Sequence, residues 1–220
     1  MAASSRRVGA VTSKTRDVLL DSVERLMLKE GYASVTYRAV AAKAGVTASL
    51  VQYYFPTLDD IFIAAIRRST ERNLARLTKA LQKRPDEPLR VLWEYSWDEA
   101  TSALTIEFMA LGNHRKSIRT EIADVTEQVR TASLDALTAK FGDDVPLPEG
   151  RLSPGALLLL ITGIPKFLNL EEGIGVKTAH SEIVDAFERY LISIEPAINV
   201  DPDKRRRPRA TQTRRRTGRH

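Results

Sequence analysis

The segment from Val40 to Val51 combines residue types that favour two short helices crossing at a steep angle. Ala41 is small enough to stand where two helices nearly touch, and Gly45 tolerates the positive φ of a tight turn. The hydroxyl of Thr47 can cap the second helix. The apolar residues spaced to face a shared core are Val40, Ala44, Val46 and Val51. This pattern predicts a helix-turn-helix whose second helix enters the major groove of DNA, with a helical hairpin that does not bind DNA as the alternative.

The sequence lacks the motifs of the common enzyme classes. It contains no cysteine, which excludes disulfides, thiolate metal sites and cysteine nucleophiles. It has no phosphate-binding glycine-rich loop, no Gly-x-Ser-x-Gly and no His-Glu-x-x-His motif. The three histidines are too scattered to suggest a metal site: His114, His180 and His220. We therefore expect no catalytic residue, no metal ion and no cofactor.

Charge is distributed unevenly along the 220 residues, although the net charge is only +6. Residues 1–70 carry ten basic and six acidic side chains, and residues 71–203 carry fifteen and twenty-two. Residues 204–220 carry nine basic side chains and no acidic ones. A basic end beside an acidic body suggests a polyanion as partner, with ordinary solvated charge as the alternative. The basic tail can bind DNA nonspecifically or form a solvated extension.

The longest apolar run, Ala156 to Ile164, is about half as long as a membrane-spanning helix. Pro165 and Lys166 interrupt it, and no apolar signal core follows the N-terminal residues. We therefore expect a cytoplasmic protein without a membrane partner.

Helical periodicity recurs along the chain, whereas sustained strand alternation does not occur. The first helix ends at Gly31, and a later one follows Pro56-Thr57 and extends to about Lys83. The other predicted helices are Tyr37–Ala44, Ala48–Tyr54, Leu89–Leu111, Arg115–Phe141, Pro154–Glu172 and Thr178–Glu195. The stretch Gly142–Pro154 holds three prolines and two glycines, so it is predicted to be a loop.

The run from Gly31 to Pro56 closely resembles the DNA-binding domain of the TetR family of bacterial regulators. The residues that carry the resemblance are Gly31-Tyr32, Val35-Thr36, Arg38-Ala39-Val40-Ala41-Ala42, Ala44-Gly45-Val46-Thr47 and Tyr53-Tyr54-Phe55-Pro56. The match has no gap and covers about Lys14 to Phe62. The remaining helices match that family in number and length only.

The resemblance implies an all-α fold of about nine helices, with an N-terminal three-helix helix-turn-helix domain and a larger C-terminal ligand-binding and dimerisation domain. The predicted divisions are a flexible basic arm (1–13), the DNA-binding domain (14–62), the larger domain (63–199) and a disordered basic tail (200–220). The implied function is that of a homodimeric, sequence-specific repressor. It would bind double-stranded palindromic operator DNA until an unidentified small lipophilic effector releases it. A helical lipid-binding or interaction protein without specific DNA binding is the alternative.

Position by position, the resemblance places Thr36 and Arg38 where the second helix meets phosphates. It places six residues on the turn and recognition helix: Thr47, Ala48, Ser49, Gln52, Tyr53 and Tyr54. The residue types support this, because with Val51 facing inward, Ser49, Gln52 and Tyr53 lie on outer or flanking faces. Hydroxyl and aromatic groups can anchor phosphates or touch thymine methyl groups, and a glutamine can pair with adenine.

Three positions depart from the usual pattern of that family. It usually has glycine at the position of Ser49, tyrosine at that of Gln52 and a phosphate-contacting lysine at that of Leu58. Losing the lysine removes one charge contact, so unusual operator preference or weaker affinity is expected. The residues that keep the head basic are Arg6, Arg7, Lys14, Arg38 and Lys43.

By the same resemblance, the last two helices form a four-helix dimer interface with a second copy. The predicted interface residues are Leu157, Leu160, Ile161, Ile183, Phe187, Tyr190 and Leu191. A role for these helices in the monomer core alone is the alternative. An apolar ligand cavity is predicted to be lined by Trp93, Trp97, Leu104, Phe108, Met109, Leu111 and Phe167, although such residues more often only fill a core.

Overall fold

The structure, a computed structural model, describes residues 2–147 and 150–196, with side chains from Lys14 onward. The described part contains nine α-helices and one β-hairpin. The elements are α1 (Ala2–Glu30), α2 (Tyr37–Ala44), α3 (Ala48–Tyr54), α4 (Leu58–Lys83), α5 (Pro88–Ser96), α6 (Glu99–His114), α7 (Arg119–Phe141), β1 (Val145–Leu147), β2 (Gly150–Leu152), α8 (Pro154–Gly173) and α9 (His180–Ile194). The predicted fold class is confirmed. The side chains of Arg6 and Arg7 and the predicted tail 200–220 lie outside the described residues.

Helix α1 begins at Ala2, so it includes most of the segment 1–13 that the sequence predicted to be a flexible arm. A role for this segment on DNA stays a prediction. The predicted domain boundary after Phe62 falls within the continuous helix α4.

Three threonines cap the helices that follow α1. Each hydroxyl oxygen accepts a hydrogen bond from the backbone N–H three residues later, at 3.1 Å for Thr36, 3.3 Å for Thr47 and 3.1 Å for Thr57. Asp60 completes a capping box, because its carboxylate accepts the N–H of Thr57 at 2.9 Å. Gly45, with φ of 70°, ends α2 in the left-handed conformation. These local signals explain why the sequence predicted the bounds of α2 and α3 correctly.

Helices α1 to α4 enclose an apolar core that continues into the rest of the molecule. Its completely buried side chains in this region include Leu19, Leu20, Val23, Val40, Val51 and Ile61. The same cluster contains Leu104 and Leu111 of α6 and Ile118. The head, which we define as residues 14–62, therefore packs directly on the body, which we define as residues 63–196.

A second core lies within the body, between α4, α5, α7, α8 and α9. Its buried side chains include Leu77, Leu89, Leu92, Trp93, Leu137 and Leu158. Leu157, Ile161 and Leu191 also lie in this core, so they are not available to a second copy. These three predicted interface residues therefore face the core of their own chain, because apolar helices such as α8 and α9 cover one face within the chain. The interface itself stays a prediction.

The single helix predicted over Leu89–Leu111 is two helices, α5 and α6. Asp98 begins the second helix by accepting the backbone N–H of Thr101 at 2.8 Å. The chain turns at Trp97, which lies between the two helices.

The loop predicted over Gly142–Pro154 contains the antiparallel pair β1 and β2. In this hairpin Val145 pairs with Leu152 and Leu147 pairs with Gly150. Val145 is completely buried in the body core, which holds the strand against the helices. Strands of three residues are too short to show an alternating pattern in the sequence.

Within residues 2–147 and 150–196, no helix combines the length and apolar character that a membrane crossing requires. The same residues include no group of three or more histidine and carboxylate side chains placed to hold a metal ion.

Candidate nucleic-acid interface and internal cavity

Helix α3 packs on the head core through one face and leaves its other face open. Val51 is completely buried, whereas Ser49, Gln52 and Tyr53 are exposed, with 77% of Tyr53 accessible. The rings of Tyr53 and Tyr54 meet edge to face, with centroids 5.5 Å apart. Amide, hydroxyl and phenol groups on one outer helix face can contact base edges and phosphates in a DNA groove.

Basic and hydroxyl side chains extend this exposed face toward α2. Thr36, Arg38, Lys43 and Thr47 are exposed, and the predicted contact residues that are half-buried are Ala48 and Tyr54. Within the described part of the chain, neither Arg38 nor Lys43 is held in an ion pair. The Thr47 and Ser49 hydroxyl oxygens lie 3.0 Å apart and form one polar group at the start of α3. The face is therefore polar and positively charged.

Tyr37 is a residue of this region that the sequence analysis missed. Its hydroxyl donates to the backbone oxygens of Phe55, at 3.1 Å, and Pro56, at 2.8 Å. This contact ties the start of α2 to the end of α3 and so fixes the angle at which α3 is presented. Burial, and then the charge of Asp60, raises the pKa of Tyr37, which keeps the hydroxyl protonated as a donor. The sequence feature that could have indicated this role is the position of an aromatic residue directly after the capping Thr36.

Polar contacts join the head to the body. The carboxylate of Glu107, on α6, accepts the backbone N–H of Tyr32 at 2.8 Å. Arg68, on α4, lies 2.7 Å from the carboxylate of Asp21 and 2.9 Å from that of Glu24, both on α1. Together with the shared apolar core, these contacts make the position of the head depend on α4 and α6.

A cavity of about 150 Å³ lies inside the body. Its walls come from α4 to α8, and its apolar lining includes Ile66, Leu77, Leu92, Phe108, Ile122 and Leu158. A volume of about this size holds one benzene ring in an engineered protein cavity. The cavity is thus suited to a small molecule.

Phe108 and Met109 are the residues of the predicted pocket that line this cavity. Trp93, Leu104 and Leu111 lie instead in the apolar cores, because aromatic and leucine stripes on helices mainly fill helix contacts. Trp97 packs against Trp93 with centroids 5.4 Å apart, and Phe167 is 59% exposed on the outer side of α8. About half of the lining residues that the sequence analysis missed bear a hydroxyl group: Thr70, Tyr95, Ser96, Thr101, Ser102, Thr105, Thr126, Ser133 and Thr162.

Two cations and no carboxylate are among the described residues that line the cavity. Arg130, on α7, is 45% exposed and stands at the edge, where its guanidinium lies 3.4 Å from Glu127. Lys166, on α8, makes no hydrogen bond or ion pair with any residue that the structure describes. Burial, and then the charge of Arg130, lowers the pKa of Lys166. Both ionisable charged side chains in the described lining are therefore basic.

The outer surface of α8 and α9 is apolar and open. Its exposed side chains include Leu159, Leu160, Phe167, Leu170, Ile183 and Ile192. Leu160 and Ile183 were predicted at a dimer interface and lie on this face. Phe187 and Tyr190 are half-buried: the Phe187 ring stacks on Trp93 with centroids 4.6 Å apart, and the Tyr190 hydroxyl donates to a backbone oxygen at 3.2 Å. Four of these side chains, Leu159, Leu160, Phe167 and Ile183, line one shallow groove, and grouped exposed apolar side chains typically mark an interaction surface.

A helix-turn-helix head on a helical body with an internal cavity is the architecture expected of a ligand-responsive DNA-binding regulator. The comparisons with known proteins agree with this class. The family profile described as "Bacterial regulatory proteins, tetR family" matches residues 19–65. The HTH-type transcriptional regulator AcrR of Shigella flexneri is 28% identical over 137 residues, which are 60% of this chain and 63% of that protein. The regulator BetI of Burkholderia cenocepacia is 25% identical over 153 residues, 68% of this chain and 79% of that protein.

Solved structures share the fold. A transcriptional regulator from Saccharomonospora viridis, in complex with choline, has a TM-score of 0.60 and 16% identity, covering 82% of this chain and 96% of that chain. Residues 19–65 thus match the profile of TetR-family regulators, and the chain is similar in sequence and fold to bacterial transcription regulators. The alternative of a helical lipid-binding protein is not favoured. The chain spans somewhat less than two thirds of the length of AcrR.

Proposed function

We propose that this protein is a homodimeric repressor that binds a palindromic operator and releases it when a small molecule fills the cavity. The observation that carries this proposal is the outer face of α3, where Ser49, Gln52 and Tyr53 stand exposed over the buried Val51. TetR-family regulators are in general not enzymes, so the proposed function is binding without catalysis.

The exposed groups divide by their chemistry. Gln52 offers the donor and acceptor pair that matches adenine, and Tyr53 offers a ring and a hydroxyl to the groove. Arg38 and Lys43 neutralise phosphates and release counterions, which makes binding weaken as salt rises. Leu58 supplies no such charge, so operator affinity depends more on groove contacts here than in relatives that carry a lysine at that position.

The apolar face of α8 and α9 is the proposed contact with a second copy. Leu160, Phe167 and Ile183 line a shallow groove between the two helices. Covering this face with the same face of another copy removes apolar surface from water. A two-fold dimer then presents two α3 helices to half-sites about 34 Å apart, one turn of DNA.

Two helices connect the cavity to the head in the proposed mechanism. Helix α4 has Asp60 in the capping box next to α3 and Ile66 in the cavity wall. Helix α6 places Glu107 on Tyr32 of the head and the adjacent Phe108 in the cavity wall. A ligand that binds more tightly to another arrangement of these helices shifts the spacing of the two recognition helices, and DNA is released.

The test is a gel shift with the purified full chain and the DNA upstream of its own coding sequence, at low salt. We expect a specific shift that competitor DNA does not abolish and that Tyr53→Ala weakens. Arg151→Ala, an exposed change on β2, is the control and should leave the shift unchanged. Failure to shift any genomic fragment at low salt would contradict the proposal.

A further inference from the structure

We infer that the cavity binds a small organic anion, namely a carboxylate joined to an apolar body about the size of one benzene ring. This inference rests on the proposed function and names the chemical class of the molecule to which the repressor responds.

The charges of the lining carry the inference. Lys166 and Arg130 both line the cavity, and no aspartate or glutamate among the described residues does so. Arg130 has one weak contact, with Glu127 at 3.4 Å, on the exposed side of α7. Lys166 is without any ion pair in the described part of the chain, and the pKa of its ammonium is lowered. Two like charges at one cavity are costly when one of them, Lys166, has no ion-pair partner in the described part of the chain, and an anion bound between them offsets that cost.

Most of the hydroxyl groups around the cavity are already engaged as donors. Thr105, Thr126, Thr162 and Ser133 each donate to a backbone oxygen of their own helix, at 2.7 to 2.8 Å. Their hydrogens are therefore in use, and the groups that remain as charged donors to a carboxylate are Lys166 and Arg130. The apolar lining then packs against the apolar part of the ligand, and the carboxylate of the ligand lies at Lys166 and Arg130.

A cationic ligand fits this cavity poorly. Quaternary ammonium groups bind on open aromatic faces or next to carboxylates. The aromatic residues in the lining are Tyr95 and Phe108. The guanidinium of Arg76 lies 5.8 Å from the centre of the Tyr95 ring, so that ring already faces a cation. Lys166 would repel a second one, and this site therefore differs in charge from what a choline ligand requires.

The experiment uses the full-length dimer and three ligand skeletons, each as carboxylate, neutral amide and ammonium. The probes are benzoate, phenylacetate and hexanoate with their matched amides and amines, at millimolar concentration and constant ionic strength. Thermal shift and titration calorimetry measure binding, and fluorescence anisotropy measures release of operator DNA. We expect one or more carboxylates to raise the melting temperature and release DNA, while the matched amides and amines do neither.

Variants locate the site. Lys166→Met, which keeps the length of the side chain, should weaken carboxylate binding by about 10- to 100-fold, the loss of one charged hydrogen bond. Arg130→Gln changes an exposed position and should weaken binding as well, which keeps the test valid if Lys166→Met folds poorly. Lys177→Met, an exposed change before α9, is the matched control and should bind like the parent protein.

The outcomes separate this inference from the proposed function. If amides or amines bind and release DNA while no carboxylate does, the anion inference is overturned and the ligand-responsive repressor stands. If carboxylates bind but Lys166→Met and Arg130→Gln bind them equally well, the anion site assigned here is wrong. Failure of the unliganded parent protein to bind operator DNA would instead count against the proposed function.

Discussion

The guanidinium of Arg115 lies 2.6 Å from the carboxylate of Asp59, and this ion pair joins the body to the first turn of α4. The hydroxyl of Ser117 donates to the other oxygen of the same carboxylate. Arg115 also lies 5.3 Å from the centre of the Phe62 ring. The short connection between α6 and α7 is thus held against the helix that directly follows the recognition helix.

Asp59→Asn should lower the melting temperature at neutral pH by about 2–4 °C, the equivalent of about 1 kcal/mol. The hydrogen bond from Ser117, and then the hydrogen bond and charge of Arg115, hold the pKa of Asp59 below its ordinary value. Because the pKa is lower in the folded state, the stabilisation is present above the unfolded-state pKa and is lost as pH falls through the folded-state pKa. Thermal unfolding at a series of pH values should show the difference between the two proteins closing in acid.

Asp135→Asn is the control for this pH series. Asp135 is exposed on α7 and has no hydrogen bond or ion pair with another described residue, so its substitution should leave the melting temperature unchanged. A difference between the parent protein and Asp59→Asn that stays constant down to acidic pH would show that the carboxylate charge is not the cause.

Tyr53→Ala should weaken operator binding by at least about tenfold without unfolding the dimer, since a groove contact is worth about 1–3 kcal/mol. The side chain is mostly exposed, so its removal costs little stability. Fluorescence anisotropy with labelled operator measures the affinity, and Tyr53→Phe separates the hydroxyl from the ring. Unchanged affinity of Tyr53→Ala would mean that α3 meets DNA through another face.

Leu58→Lys should make operator binding tighter at low salt and more dependent on salt. One additional phosphate contact steepens the slope of log affinity against log salt by about 0.9. Leu58 is half-buried on the head core, so a small loss of stability is expected as well. Leu28→Lys adds the same charge at an exposed position of α1 and is the control. Equal slopes for the two variants would show that Leu58 is not near a phosphate.

Leu160→Glu should convert the dimer to a monomer, because it places a charge within an apolar contact. Leu160 is 46% exposed in the chain, so the change should not disturb the body core. Sedimentation velocity measures the mass in solution. Operator affinity should fall when the dimer is lost. Leu28→Glu, at a position 41% exposed on α1, is the control. A dimer that persists in Leu160→Glu would place the interface elsewhere.

The sequence predicted the head more fully than the body because the signals of the head are local. Thr36, Thr47 and Thr57 each begin a helix with a hydroxyl, and the inward position of Val51 orients α3 within a few residues. Helix α8 has no such signal, because it is apolar all round. Which of its leucines face inward depends on the packing of α5 and α7, so Leu157 and Leu160 were indistinguishable in the sequence.

The lining of the cavity was only partly predicted. Aromatic and large apolar residues suggested it, whereas about half of the lining residues that were missed bear a hydroxyl group. Lys166 appears in the sequence only as an interruption of an apolar run. Its position inside the body follows from the packing of α8 on α6 and α7, which no local pattern contains.

Helix α4 has a mechanical consequence that follows from its length. Its 26 residues make a rod of about 39 Å at a rise of about 1.5 Å per residue. A tilt of about 5° about one end moves the other end by about 3 Å, close to the 3.4 Å step between successive base pairs. In a two-fold dimer the two rods move in opposite directions, so the error in register doubles to about 6 Å, nearly two base pairs. In the proposed dimer, a displacement in the cavity smaller than one atomic diameter would be enough to place the two recognition helices out of register with DNA.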